Sequence, residues 1–257
     1  MKTKLTIITL IFLHILLTVT NLSAQEHESF TSLLKRYVVK GLVDYKNLKD
    51  DNQLDEYLSQ LSNTNPDKLS RNQKLAFWIN AYNAFTLQVV RDNYPIETIT
   101  ELHTGGKVIG YFLGKTVWDK EFITIKKKKY SLGDIEHNIL RKMNDPRIHF
   151  AIVCASISCP ELLNEAFEAE KINDQLENQA RRFLNDKSRN HFDLKNRKAY
   201  LSKIFDWFDK DFGDSEKEVL KYVSQFIPEN ISKDIKNNLS NWEISYRDYD
   251  WNLNKIK

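Results

Sequence analysis

The sequence predicts a single α+β domain, with long central helices, short β-hairpins and a mostly antiparallel sheet. Apolar residues recur at three- and four-residue spacing along several long stretches, as in amphipathic helices. In two places, short segments of β-type residues flank a Lys-rich turn, as in hairpins. No repeat, low-complexity tract or Pro/Gly-rich linker divides residues 30–257. The helices and hairpins are therefore expected to share one domain.

The N-terminal segment has the pattern of a secretory signal peptide. Two lysines precede an apolar stretch over residues 5–17, and small and polar residues follow up to Ala24. The stretch is shorter than the roughly 20 residues of a spanning helix. We expect residues 1–24 to be removed on export to the periplasm or the cell exterior, which leaves residues 25–257 as the domain. Leu22 is less usual near such a cleavage site, so an uncleaved membrane anchor is the alternative.

Composition excludes several classes of function. Without its first 24 residues the chain has 36 basic and 35 acidic residues, and this near-neutral balance argues against a nucleic-acid partner. Two cysteines are too few for a disulfide scaffold, so a hydrophobic core must stabilise the domain. No later segment is apolar enough to span a membrane. No zinc-ligand spacing and no phosphate-binding glycine loop occurs, so no metal or cofactor is expected, and the expected partner is a peptide or small-molecule substrate.

The first half of the domain is expected to be helical. Periodic apolar residues predict helices over residues 30–39 and 54–61. A longer helix is predicted from Arg71 to Asn93, because a capping-box pattern over residues 70–73 precedes it and Pro95 follows it. Its apolar residues surround the helix axis on nearly all sides, which is typical of a central helix.

Two asparagines lie on this central helix. Asn80 and Asn83 must find hydrogen-bond partners there, because an unpaired buried amide costs about 1–3 kcal/mol. They are expected either to fasten the helix to neighbouring loops or to orient a catalytic side chain.

The second half of the domain is expected to mix hairpins and helices. A Lys-rich turn at residues 126–129 predicts a hairpin tip, and a second Lys-rich turn at residues 195–198 predicts another. The remaining predicted elements, in order, are β segments within 105–132 (including 111–112 and 122–125), helices over 134–143 and 167–184, strands at 191–194 and 199–201, helices over 204–212 and 216–226, and a terminal strand within 242–253. Asp206, Asp209 and Asp211 interleave with core aromatics in one of these helices. They are expected to line the mouth of a site; calcium binding is the alternative, although the segment lacks the alternating oxygen-ligand loop of a calcium motif.

Both cysteines lie where an apolar run meets small polar residues. Residues 148–153 predict a buried strand, so Cys154 is expected at its C-terminal end, and residues 158–160 resemble the opening of a helix. A thiol that faces a helix N-terminus has its thiolate favoured, as a reactive cysteine requires. The alternative is a small disulfide between Cys154 and Cys159.

A nucleophilic cysteine needs a base, usually a histidine. His149 is an odd number of positions from Cys154 on the predicted strand, so the two side chains are expected on opposite faces. His137 is the preferred candidate, because it lies at the edge of the apolar face of the helix before that strand. A structural role is the alternative for His137, and an ion pair with Arg141 or Lys142 is the alternative for its neighbour Glu136.

Three motifs together resemble the DUF547 domain family. They are residues 77–84 (FWINAYNA), 134–141 (DIEHNILR) and 149–160 (HFAIVCASISCP), and the tail 249–254 (YDWNLN) also resembles the end of bacterial members. The resemblance covers about residues 65–210 plus the tail, and it implies the same fold without an established activity.

The resemblance ranks the candidate site residues. It places Glu136, His137 and Cys154 ahead of Cys159, and this set resembles that of a thiol hydrolase. Glu136 and His137 are adjacent on a helix, so their side chains point roughly 100° apart. Glu136 is therefore a poor choice to orient His137, and Asn80 or Asn83 is the alternative.

Three functions remain open from the sequence. The first is a thiol hydrolase or transferase in which Cys154 attacks an amide or ester, His137 transfers the proton, and backbone N–H groups at residues 156–160 stabilise the oxyanion. The second is a non-catalytic cell-envelope binding or scaffold domain with a structural Cys154–Cys159 disulfide. The third is a thiol–disulfide oxidoreductase, although four residues separate the cysteines where the common redox motif has two.

Overall fold

A computed structural model of the protein describes residues 27–104 and 116–256. The predicted signal peptide and the predicted β segment at residues 111–112 lie outside the described residues. The described part is an α+β fold in which helices dominate and strands form small sheets, as the sequence predicts. No helix in this part of the chain combines the length and the apolar character needed to cross a membrane.

The first part of the fold is a group of helices with one short hairpin, and the two helices predicted there are confirmed with small changes at their ends. In chain order the elements are α1 (Glu28–Tyr37), β1 (Val38–Val39), β2 (Leu42–Val43), α2 (Tyr45–Leu48) and α3 (Gln53–Asn63).

The central helix α4 (Arg71–Asn93) has the predicted bounds. Ser70 and Gln73 form the capping box, in which each side chain pairs with a backbone N–H of the other residue. All residues from 75 to 87 are buried. A helix that is apolar on almost every side must be surrounded by protein, so α4 is the axis of the first core.

The hairpin after the central helix is also confirmed. Strands β3 (Ile123–Ile125) and β4 (Lys128–Tyr130) pair antiparallel, and Lys126 and Lys127 form the turn with positive φ angles of 48° and 65°. A helical segment follows, but it is a π-helix over Asp134–Leu140 that tightens to a 3₁₀ turn over Arg141–Met143.

The predicted strand before Cys154 is wrong. The segment Pro146–Phe150 is a 3₁₀ helix, and residues 151–153 continue without a strand partner. Asp145 caps the turn through the backbone N–H of Arg147, and Pro146 occupies the first turn, so the Asp-Pro pair starts a helix rather than only ending one. The predicted helix opening at residues 158–160 is wrong too, because a turn and a bend precede Pro160 and no helix starts there.

The last third of the described chain has five α-helices, one sheet and a 3₁₀ turn at Leu239–Asn241. The helices and strands are α5 (Ile172–Asn185), β5 (His191–Asp193), β6 (Lys198–Leu201), α6 (Ile204–Trp207), α7 (Asp209–Phe212), α8 (Glu216–Val223), α9 (Glu229–Asn237) and β7 (Glu243–Tyr246).

The sheet β5–β6–β7 is mixed. Strands β5 and β6 form the predicted antiparallel hairpin, whereas the terminal strand β7 pairs parallel to β6. The predicted terminal strand also ends earlier than expected, and residues 249–252 have no strand structure. Helix α9 was not predicted.

Two hydrophobic cores meet along α5. Ile172 and Leu176 belong to the first core, around α4, while Ala180, Phe183 and Leu184 belong to the second, which contains the last helices and the mixed sheet. One helix with buried residues in both cores joins the two halves of the fold.

Candidate functional site

A cleft of about 410 Å³ lies where side chains of both cores meet. Its lining residues include Tyr82 from the first motif, Glu136 and His137 from the second, and His149, Cys154 and Cys159 from the third, so all three motifs converge on one site. A cleft that combines apolar walls with a few convergent polar groups is the usual form of a small-molecule site.

The two cysteines form a disulfide bond in the wall of this cleft. The Tyr249 hydroxyl lies 3.2 Å from Cys159 Sγ and 3.3 Å from Cys154 Sγ, and Ser156 Oγ lies 3.1 Å from Cys154 Sγ. Burial raises the pKa of Tyr249 well above its usual range, so its hydroxyl keeps its proton and acts as a donor. The hydroxyl groups of Ser156 and Tyr249 therefore lie in contact with the sulfur atoms.

Backbone hydrogen bonds hold the loop between the cysteines in place. The N–H of Ile157 donates to Asn252 O (2.9 Å) and the N–H of Ser158 donates to Asp250 O (3.2 Å). The N–H of Cys159 donates to Ser156 O (3.2 Å). Of the oxyanion donors expected at residues 156–160, the N–H groups of residues 157–159 are thus already paired within the protein, and Pro160 has no N–H. An oxyanion in this cleft therefore needs a donor other than these three N–H groups.

Glu136 lies in the cleft wall and is 8% exposed. Its Oε2 accepts a hydrogen bond of 3.3 Å from the Tyr82 hydroxyl. Burial raises the pKa of Glu136 to about 7, against a smaller opposing effect of the Tyr82 hydrogen bond. Among the described hydrogen bonds none joins Glu136 to His137, in agreement with the expectation that their side chains diverge.

His137 is exposed at the rim of the cleft, one helical turn before Arg141. Its Nδ1 lies 3.2 Å from Arg141 Nη1. Desolvation, together with the positive charge of Arg141, lowers the pKa of His137. The residue that orients His137 is therefore Arg141, four positions along its own chain.

His149 is buried in the same cleft, with 2% of its surface exposed. Its Nε2 lies 2.7 Å from Asp211 Oδ2, and its ring stacks on Phe208 at 4.2 Å between ring centroids. Burial lowers the pKa of His149, while the bond to Asp211 opposes this. The expected placement of His149 and Cys154 on opposite faces requires a regular strand, and His149 lies instead in a 3₁₀ helix.

Asp211 joins the two histidines through Arg141. Its Oδ2 and Oδ1 accept bonds from Arg141 Nε (2.6 Å) and Nη2 (2.9 Å), in a bidentate ion pair. Burial by itself would raise the pKa of Asp211, but the hydrogen bonds from His149 and Arg141 hold it well below the usual range. One member of the acidic group at residues 206–211 thus bonds to a cleft histidine without lining the cleft itself.

The side-chain amides of Asn80 and Asn83 form hydrogen bonds with the backbone of two neighbouring loops. Asn80 pairs with both the N–H (2.9 Å) and the C=O (2.8 Å) of Phe167. Asn83 donates to Ala151 O and accepts from the N–H of Val153, both at 2.9 Å. Neither side chain lines the cleft. They fasten the central helix to the segments on either side of the cysteine loop, and they do not orient His137.

The wall of the cleft also contains aromatic residues that the sequence argument did not select. Trp207 lies 4.8 Å from Tyr249 and 5.6 Å from Trp251 between ring centroids, and Trp118 lies 5.9 Å from Trp251. Trp207 is 43% exposed, which is unusual for a tryptophan in a folded domain. The alternation of aromatics in the C-terminal tail is the available signal for Tyr249 and Trp251, but the same alternation also predicts a strand.

No group of three or more His, Cys, Asp or Glu side chains in residues 27–104 and 116–256 is placed to hold a metal ion.

Comparison with known proteins assigns the central part of the chain. Residues 66–184 match the family described as a protein of unknown function, DUF547. No curated protein and no solved structure matches the chain. The matched segment contains Glu136, both cleft histidines and both cysteines, whereas Asp211 and the tail aromatics lie beyond it. The chain therefore carries a domain of the DUF547 family over residues 66–184.

Proposed function

We propose that the protein is an exported thiol hydrolase or transferase that acts on amide or ester bonds, with Cys154 as its nucleophile. The observation that supports this most is the convergence of the Cys154–Cys159 pair, two histidines and a buried carboxyl group in one aromatic-walled cleft. Titratable groups with shifted pKa values that gather in a cleft are typical of catalytic sites.

Cys154 can act as a nucleophile only when its disulfide with Cys159 is reduced. Cys154 attacks a carbonyl only after a thiol reductant has supplied two electrons and two protons to the disulfide, which then gives two thiols. Cys154 is half-buried and Cys159 is 3% exposed, so substrate reaches Cys154 more easily. The Ser156 and Tyr249 hydroxyls lie 3.1 and 3.3 Å from Cys154 Sγ, so in the reduced protein they are within reach to donate hydrogen bonds to its thiolate. Cys159 thus locks the resting enzyme.

Export is part of the same proposal. The signal-peptide pattern of residues 1–24 supports it, and a disulfide is the form that cysteines take in oxidising compartments. Intact mass spectrometry of protein from the cell-envelope fraction is expected to show a chain that begins at Gln25 and lacks two hydrogens. A chain that keeps Met1 in that fraction contradicts cleavage and supports the N-terminal anchor.

A non-catalytic binding domain is the second candidate, and the exposed face of Trp207 beside the closed disulfide favours it. In that function the disulfide only fixes the loop of the cleft, and its reduction has no role. A thiol–disulfide oxidoreductase, which uses both sulfurs in turn, is the third candidate. A reduction potential below about −300 mV for the Cys154–Cys159 bond excludes the third candidate.

The test uses the mature chain with Cys159→Ser, in which Cys154 has no disulfide partner. Iodoacetamide alkylation is followed between pH 5 and pH 9, with peptide mass spectrometry to locate the label. We expect the rate to depend on a thiol pKa below the usual value of about 8.5. We also expect the variant to hydrolyse p-nitrophenyl acetate, while the matched Cys154→Ser variant does not. Alkylation no faster than that of free cysteine, together with no ester turnover, supports the binding domain instead.

A further inference from the structure

The two cleft histidines have different ring nitrogens fixed by hydrogen bonds, so their remaining nitrogens are of opposite kinds. Nδ1 of His137 lies 3.2 Å from Arg141 Nη1. A guanidinium group has only donors and stays protonated in proteins. Nδ1 must therefore be the acceptor, and the single proton of the neutral ring lies on Nε2. The positive charge of Arg141 also disfavours a second proton on this ring.

Whereas His137 is fixed at Nδ1, His149 is fixed at Nε2. Its Nε2 lies 2.7 Å from Asp211 Oδ2, and this carboxylate also accepts two bonds from Arg141. An ionised carboxylate only accepts hydrogen bonds, so Nε2 of His149 carries the proton. Nδ1 of the neutral ring is then an unprotonated base, and none of the hydrogen bonds described for residues 27–104 and 116–256 uses it.

The two rings lie beside the same aromatic side chain. His149 stacks on Phe208 at 4.2 Å, His137 lies 6.2 Å from it, and the Arg141 guanidinium lies 5.3 Å from its centroid. Both rings line the cleft that contains Cys154. A single ion pair, Arg141–Asp211, therefore holds an acceptor and a donor on one side of the site.

We propose that Nδ1 of His149 is the general base of the site, that Nε2–H of His137 is the hydrogen-bond donor to the oxyanion, and that Asp211 and Arg141 are the positioning residues that impose both roles. The roles depend on the proposed function, whereas the proton positions do not. The proposal replaces His137 with His149 as the proton carrier. It also supplies the oxyanion donor that the backbone of residues 157–159 does not provide.

The reaction balances with these groups. In the reduced protein, His149 Nδ1 removes the proton of the Cys154 thiol, and the sulfur forms a bond to the carbonyl carbon of an ester or amide. The carbonyl π electrons move to oxygen, which accepts a hydrogen bond from His137 Nε2–H. When the carbonyl re-forms, the alcohol or amine leaves with the proton from His149. Water then hydrolyses the thioester, with His149 as base again.

The first experiment measures proton positions without any reaction. Two-bond ¹H–¹⁵N NMR spectra of the full oxidised chain, labelled with ¹⁵N-histidine, are recorded near pH 7.5. We expect both rings to be neutral with the proton on Nε2. In Asp211→Asn, the amide group can donate to the His149 ring, so we expect His149 to move to the Nδ1–H form. In Arg141→Ala, we expect His137 to become a mixture of tautomers.

A matched control is available in another bidentate ion pair. Arg91 pairs with Asp55 at 2.9 and 2.8 Å, and neither residue lines the cleft. Asp55→Asn is expected to leave both histidine spectra unchanged. A wild-type His137 that carries its proton on Nδ1, or a His149 with its proton on Nδ1, overturns the proposal whatever the activity of the protein.

The second experiment separates the two roles in the Cys159→Ser background. Alkylation by iodoacetamide needs a base but forms no oxyanion, whereas ester hydrolysis needs both. We expect His149→Ala to slow both reactions by at least about tenfold. We expect His137→Ala to change alkylation by less than about twofold and to slow p-nitrophenyl acetate hydrolysis by about 10²-fold. A larger loss of alkylation in His137→Ala than in His149→Ala overturns the assignment.

Failure of the proposed function and failure of the positioning role of Asp211 give different results. If Cys154 reacts like free cysteine in every variant, the proposed function and the catalytic roles fail, while the NMR spectra still decide the proton positions. If Cys154 is reactive but Asp211→Asn changes neither the His149 tautomer nor the pH profile of alkylation, the positioning role fails alone. Recovery of the wild-type profile in Asp211→Glu supports it, because Glu restores the carboxylate.

Discussion

The protonation of individual side chains in the cleft depends on where the tertiary fold places them. Glu136 shows this most directly, because the cause of its shifted pKa is burial rather than a charged partner. A carboxyl group with little exposure and one hydroxyl donor is held mainly in its neutral form below pH 7. Glu136 therefore carries no fixed negative charge at moderately acid pH.

This pKa predicts a pH-dependent stability that Glu136→Gln removes. The folded-state pKa is about 7 and the ordinary value is 4.5, so between these pH values the folded protein binds more protons than the unfolded protein. The free energy of unfolding therefore falls as pH rises through this window, by roughly 3 kcal/mol in total for this group. Below pH 4.5 the Glu136 contribution is fully present, and above pH 7 it is lost.

The measurement is urea unfolding of the wild type and of Glu136→Gln at pH 4.5 and pH 8. The Gln side chain keeps an oxygen acceptor for the Tyr82 hydroxyl, so the variant changes mainly the charge. We expect the variant to be more stable than the wild type at pH 8 by roughly 3 kcal/mol relative to their difference at pH 4.5. Equal differences at the two pH values contradict a raised pKa.

At the scale of elements, the central helix positions the cysteine loop through its asparagines. Asn83 pairs with the backbone of Ala151 and Val153, directly before Cys154. Side-chain amides do here what strand pairing does elsewhere, because they satisfy the backbone groups of an irregular buried segment. This explains how residues 151–153 are buried without being a strand.

Asn83→Ala is predicted to destabilise the protein by about 2–5 kcal/mol, because one buried N–H and one buried C=O lose their partner. The matched control is Asn93→Ala at the end of the same helix. The Asn93 side chain is exposed and donates only to Val89 O, so a change within about 0.5 kcal/mol is expected. The measurement is the free energy of unfolding in urea, and similar losses in both variants contradict the role of Asn83.

At the scale of the whole molecule, hydrophobic cores rather than the disulfide hold the fold. The disulfide closes a loop between residues only five positions apart, and such short loops gain least from cross-linking. The two cores on either side of the cleft each contain many fully buried side chains. The proposed function requires this arrangement, since the reduced protein must remain folded to act.

Reduction is therefore predicted to leave the protein folded and to lower its free energy of unfolding by about 2 kcal/mol. The measurement is urea unfolding followed by tryptophan fluorescence, with and without a thiol reductant. The double variant Cys154→Ser/Cys159→Ser serves as the control and is expected not to respond to the reductant. Unfolding of the wild type by reductant alone contradicts the prediction and assigns the disulfide a structural role.

Much of the fold follows from local patterns in the sequence. The bounds of α4, its capping box and the two hairpins depend on residue spacing and on contacts within a few positions, which the sequence displays directly. The parallel pairing of β7 with β6 was not predictable in this way. Its residues are far apart in the chain, and the alternation of a strand is the same for either direction.

The amino-acid sequence by itself determined the α+β class, the central helix and the residue types of the site, including Cys154, Glu136 and His137. Only the tertiary structure decided that the cysteines are joined, that His149 lies in the cleft and that Asp211 connects it to Arg141. The physical reason is that hydrogen-bond partners 62 and 70 positions apart leave no periodic trace in a sequence. Periodicity reports which face of an element is buried, whereas the proton positions in the cleft depend on which side chains meet there.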